Sequence, residues 1–144
     1  MRRRVKNRNI RQPDLKHQSL EVSQLINYVM WGGKKTTAEA VVYGALDEIT
    51  KQLKVENPME TFKNALRNAG PVMEIRSRRV GGANYQVPRE VRPERRSFLA
   101  LRWIIEAARA KKGAPMAKKL ADEIIAASKN EGGAIKKREN VHKM

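Results

Sequence analysis

From Ser19 onward the apolar positions Val22, Leu25, Ile26, Val29 and Met30 recur at i, i+3, i+4, i+7 and i+8. That spacing lines one face of a helix, which Gly32-Gly33 ends. Thr36 with Glu39 three residues on reads as a capping box, and Val42, Ala45, Leu46, Ile49 and Leu53 carry the stripe of a second helix. Asn57, Pro58 and Glu60 supply an N-cap, a first helical residue and an acidic third position for a shorter helix. Its Met59, Phe62, Leu66 and Ala69 share a face, and Gly70-Pro71 stops it. Helical spacing resumes at Ser97, where Arg102, Glu106 and Arg109 are the only charges between Phe98 and Ala110 and fall on one narrow stripe. So thin a polar edge places the helix centrally, with Leu99, Leu101, Trp103, Ile104 and Ile105 in the core. Pro115 opens a fifth helix with Met116, Leu120, Ile124 and Ile125, and Gly132-Gly133 separates it from a last basic helix, residues 134–143. Met30, Met59, Met73 and Met116 fall on apolar faces and read as core filler.

Between the third and fourth helices the period changes. Gly81-Gly82 is a two-residue hairpin turn, since both positions tolerate positive φ. Pairing outward sets Val80 opposite Ala83, Arg78 opposite Tyr85, Arg76 opposite Val87, Glu74 opposite Arg89 and Val72 opposite Val91. Neither face is apolar enough near the tip to join a core. The expected fold is therefore all-α, about six helices, with a protruding two-stranded β-hairpin arm (residues 72–91) between the third and fourth. Residues 1–18 form a basic N-terminal arm and 19–144 a single helical domain. An isolated ribbon is marginal in water, so something outside the domain should stabilise it.

Charge changes this picture from a plain helical bundle to a binder of polyanions. The 144 residues hold 31 Lys and Arg against 15 Asp and Glu, a net charge of +16. The excess is not spread evenly. Residues 17–71 are neutral, whereas residues 1–16 hold seven basic groups against one acidic and residues 72–96 seven against three. Across residues 72–96 every cation is Arg, which offers a planar fork for bidentate phosphate contacts; from Lys111 onward Lys dominates. The hairpin then positions on a phosphate backbone, and the last helix attracts more generally. Arg2, Arg3, Arg4, Lys6, Arg8 and Arg11 show no apolar period and should order only along RNA. At Lys34-Lys35 a phosphate could reach both cations and free backbone amides. Tyr85 could stack on a base or lie over Arg78.

Catalytic chemistry finds little support. Cys is absent, His17 and His142 stand alone, and no phosphate-cradling loop, HExxH or nucleophile elbow occurs. No enzyme activity, metal or other cofactor is expected. Glu74, Glu90 and Glu94 lie among Arg residues as charge partners that orient the hairpin. No apolar run follows the N-terminal Arg cluster to make a signal peptide, and no stretch is long enough to span a membrane, so a membrane partner is not expected. A basic ribbon could also enter a DNA groove.

The stretch from Ser77 to Pro88 (SRRVGGANYQVP), followed by Glu90-Val91-Arg92-Pro93 and Arg95-Arg96, resembles the hallmark of the bacterial-type small-subunit ribosomal protein seven family. The likeness extends through residues 102–109 (RWIIEAAR), 33–39 (GKKTTAE) with Val42-Tyr43, and 136–139 (KKRE) with Val141-His142. It implies a helical bundle with an extended hairpin, located in the cytoplasm within the small ribosomal subunit. It also implies a primary binder of small-subunit ribosomal RNA that nucleates head assembly, near the exit-site tRNA and the messenger exit path. Implied RNA contacts are the N-terminal arm, Lys34, Lys35, Arg76, Arg78, Arg79, Arg92, Arg95 and Arg96; to these the basic charge of the last helix adds Lys136, Lys137 and Arg138 as RNA-binding candidates. The hairpin tip, Val80, Gly81, Gly82, Ala83, Asn84 and Tyr85, would approach the tRNA. Neighbouring small-subunit proteins of the head and platform are implied partners. Members usually run on past the position of Met144 with an aromatic-containing tail.

Overall fold

The computed structural model describes residues 19–54 and 57–143, with residues 75–80 and 83–88 described by their backbone. Ser19 opens α1 (Leu20–Val29), its Oγ accepting from the Val22 amide at 3.5 Å. α2 (Lys35–Leu53) follows, then α3 (Pro58–Ala69), capped as expected by Asn57 Oδ1, which accepts from the Met59 amide at 3.0 Å. Two strands, β1 (Met73–Val80) and β2 (Ala83–Glu90), lead to α4 (Pro93–Ala110), α5 (Met116–Ser128) and α6 (Gly133–Lys143). Among the described residues there are thus six helices with one hairpin between α3 and α4, as the periodicity predicts.

Two helix starts differ from expectation. α2 begins before Thr36: the Lys34 carbonyl already accepts from the Ala38 amide at 3.2 Å, so the N-cap position is Lys34, without a side-chain cap. The Thr36–Glu39 box therefore does not form the cap. α4 begins at Pro93, a turn earlier than Ser97, because Pro fits the first helical position and Glu94 suits the positive end of the dipole. The sequence pattern hides that turn, since its outward side chains are charged like the hairpin's.

The hairpin register is the expected one, Val80↔Ala83 through Glu74↔Arg89, and Val91 N–H to Val72 O (3.0 Å) adds a rung below the strands. Gly81 and Gly82 sit at φ 59° and 85°, where a Cβ would be strained, and so permit the two-residue turn. Eight residues per strand at about 3.3 Å each give the ribbon a reach of about 25 Å.

One contiguous apolar cluster draws on all six helices, from Val22 and Leu25 in α1 to Ala134 and Ile135 in α6. Phe62, Leu46, Leu101, Ile104, Leu120 and Ile124 are fully buried, each contributing about 1.5–3 kcal/mol relative to exposure. The five residues expected in the core of α4 are buried, while Arg102, Glu106 and Arg109 stay at the surface. α4 does not hold the centre alone, because α5 packs on α2, α3, α4 and α6. Of the methionines, Met59 is buried and Met30 and Met116 pack on the core, but Met73 is 43% exposed. Its place at the base of the hairpin lifts it off the bundle.

Candidate nucleic-acid interface

The candidate surface is best built from the hairpin base, where the bundle fixes the chain's most Arg-rich segment. Arg95, in the first turn of α4, donates from Nη2 to Glu74 Oε1 at 2.9 Å, tying α4 to β1. That hydrogen bond raises the Arg95 guanidinium above its ordinary value, against a smaller desolvation and with added Coulombic attraction from the same carboxylate. Arg95 also lies over the Phe98 ring, 5.4 Å from its centroid, and Phe98 meets Tyr28 edge-on at 5.5 Å. A cation held on an aromatic stem this way is pre-organised rather than mobile. Arg92 is exposed beside it, and both line an open cleft of about 530 Å³ with Glu74, Arg89, Glu90 and Val91. The positive end of α4 opens at the same place, so the site combines a helix dipole with guanidinium groups.

Arg96 behaves differently. Its Nη2 donates to Arg67 O at 3.1 Å and its Nε to Gly70 O at 3.3 Å, so it caps the C-terminus of α3. Arg138 reaches the same helix end from α6, with Nη1 donating to Asn68 O, while its Nε is buried without a hydrogen-bond partner among the described residues. Asn68 in turn donates to Ala127 O and Ser128 O at the end of α5, at 3.0 and 3.1 Å. Cations at helix C-termini answer orphan carbonyls and the negative dipole end together. These two expected RNA contacts are thus half-buried, with their guanidinium groups engaged at the end of α3.

The turn after α1 carries the third group. Gly32 and Gly33, at φ 61° and 75°, reverse the chain and leave Lys34 and Lys35 exposed at the start of α2. The amides of the two lysines are engaged, Lys34 N–H on Trp31 O at 3.2 Å and Lys35 N–H on Gly33 O at 3.0 Å. An anion here meets the ammonium groups and the amides deeper in the first turn of α2. On α6, Lys136 and Lys137 are exposed, next to the inward Arg138. The N-terminal arm (Arg2, Arg3, Arg4, Lys6, Arg8, Arg11) and the side chains of Arg76, Arg78, Arg79, Val80, Ala83, Asn84 and Tyr85 lie outside the described residues.

Sequence reasoning missed two supports. Glu123 is 1% exposed, accepting from the Ala134 amide at 3.0 Å and paired with Lys111 Nζ at 3.2 Å. It anchors the first turn of α6. His142, near the other end of α6, accepts from the Val72 amide at 3.2 Å, fastening the hairpin base to the bundle. The neighbouring Gly132-Gly133 and Pro71 mark both places as junctions, but not which side chains meet there.

Among the described residues no three His, Asp or Glu side chains are placed to hold a metal ion, and no helix is long and apolar enough to cross a membrane. The sequence is similar to known proteins along the full chain. The family described as Ribosomal protein S7p/S5e matches residues 1–144. The small ribosomal subunit protein uS7 of Thermotoga petrophila is 57% identical over 143 residues, covering 99% of this chain and 91% of the relative. The protein of the same name from a Caulobacter species is 52% identical over 143 residues, covering 99% and 90%. That from a Thermoanaerobacter species is 54% identical over 132 residues, covering 92% and 84%. With the family matched over its whole length and relatives more than half identical, the chain belongs to the ribosomal protein S7p/S5e family, whose members are structural components of the ribosome rather than enzymes.

Proposed function

We propose that the chain is a small-subunit ribosomal protein that binds the ribosomal RNA through its outward cations, nucleates assembly of the subunit head, and holds its hairpin tip beside the exit-site tRNA near the messenger path. The observation that carries this reading is the segregation of charge. Lys34, Lys35, Arg92, Arg95, Lys136 and Lys137 are exposed on three separate parts of a bundle whose sequence from residue 17 to 71 is neutral. A rigid body with several cationic faces fits RNA segments converging on it, because phosphate contacts fix register and orientation without reading sequence.

In this reading Arg76, Arg78 and Arg79 line a hairpin laid against RNA, which supplies the partner that an isolated ribbon needs. The arm, residues 1–18, runs along the RNA, and neighbouring subunit proteins cover further surface. Arg96 and Arg138 shape the surface from within. The test is titration of the full chain with small-subunit ribosomal RNA and with duplex DNA at matched salt, read by filter binding. The RNA should win by at least tenfold; equal affinities would sink the reading in favour of a general polyanion binder.

A further inference from the structure

We propose that Trp31, backed by Arg109, is a stacking platform for one unpaired nucleobase, with Lys34 and Lys35 taking the adjoining phosphates; this rests on the RNA-binding reading above and gives it a site for a single-stranded nucleotide. Trp31 is 79% exposed, well above the other large apolar side chains at the surface, Leu20, Val72 and Met73. An indole is normally among the most heavily buried groups in a protein, since its apolar area is large. Here it stands on a turn built to present it. The Trp31 carbonyl accepts from the Lys34 amide at 3.2 Å, and Gly32 and Gly33, which follow it, have no side chains to cover the ring.

The ring is not left to swing freely. The Arg109 guanidinium carbon, from the last turn of α4, sits 5.6 Å from the indole centroid. A cation over one face fixes the ring by a cation–π contact and leaves the opposite face for a planar partner. Nearby charge is positive on balance: Lys34, Lys35 and Arg109 are all exposed, and the closest acid on the Arg109 stripe, Glu106, is paired with Arg102 at 2.9 Å. Aromatic face, guanidinium backing and two ammonium groups together match a base with its phosphates. A lipid surface would need an apolar face of several residues, but Trp31 is followed by glycines and lysines, and Tyr28, Val29 and Met30 before it pack against the core.

The chain itself provides the readout, since its other tryptophan, Trp103, is 7% exposed in the core. The full-length protein and its Trp31→Leu and Trp31→Phe variants are titrated with small-subunit ribosomal RNA, oligoadenylate and an abasic sugar–phosphate oligomer of equal length. Expected are quenching of the exposed emission by ribosomal RNA and oligoadenylate but not by the abasic oligomer, about tenfold weaker oligoadenylate binding by Trp31→Leu, and near-wild-type binding by Trp31→Phe. Ribosomal RNA binding without quenching, with Trp31→Leu unchanged on oligoadenylate, overturns the stacking site and leaves the RNA reading standing. Failure of the wild type to bind ribosomal RNA overturns both. A blue shift of Trp31 emission on vesicles of phosphatidylglycerol, with none of the quenching by bases, reassigns the residue to a lipid surface and overturns the inference.

Discussion

At the end of α3, Arg96 and Arg138 put their guanidinium groups on the carbonyls of Arg67, Asn68 and Gly70. At the turn after α1, Lys34 and Lys35 are exposed, with hydrogen bonds running through their backbone groups. Both regions are basic in sequence and both look alike in a charge count. Their difference lies in what each cation replaces. A guanidinium on orphan carbonyls takes the place of water at a helix end, whereas an exposed ammonium keeps its water until a phosphate displaces it. Net charge therefore does not separate the cations engaged at a helix end from those left in solvent.

Glu123 offers the harshest way to break the inward set. Glu123→Ala removes a buried carboxylate from the Ala134 amide and from Lys111, leaving a buried donor unanswered at the start of α6. Chemical denaturation should show a loss of about 2–3 kcal/mol. Next comes Arg138→Ala, which strips Asn68 O of its donor and opens the α3–α6 seam. It should cost about 1–2 kcal/mol in the same assay and leave ribosomal RNA affinity within about threefold when the protein is folded. Arg95→Ala sharpens the contrast from the outward side. Its pair with Glu74 is half exposed, so stability should fall by no more than about 1 kcal/mol, while the salt slope of RNA binding drops by about 0.7–0.9. An Arg95→Ala protein that lost stability and kept its slope would place Arg95 with the inward set.

How much of this was legible beforehand depends on distance along the chain. The helix faces at 22–30 and 98–110 and the register set by Gly81-Gly82 are written in residues a few positions apart, and the structure follows them. Arg96 and Arg138 meet α3 across 26 to 70 residues, a separation no local period encodes. Arg96 also follows Arg95 directly, yet the two point to different tasks because consecutive helical positions lie about 100° apart around the axis. The misplaced start of α2 has a local cause: Gly32-Gly33 completes the turn early enough for Lys34 to begin the ladder, making Thr36 unnecessary as a cap. Trp31 was visible as an aromatic beside Gly-Gly-Lys-Lys, but its contact with Arg109 joins two helix ends and needed the fold.

The account stands most directly on the salt dependence of binding to small-subunit ribosomal RNA, measured side by side for the wild type, for a variant with Lys34, Lys35, Arg92 and Arg95 all changed to Ala, and for Arg138→Ala. The outward variant should lose about three units from the slope of log Kd against log salt, at about 0.7–0.9 per phosphate contact, and Arg138→Ala should keep the wild-type slope. An outward variant with an unchanged slope, or an Arg138→Ala slope that falls as far, would contradict the division between cations that bind RNA and cations that hold the fold.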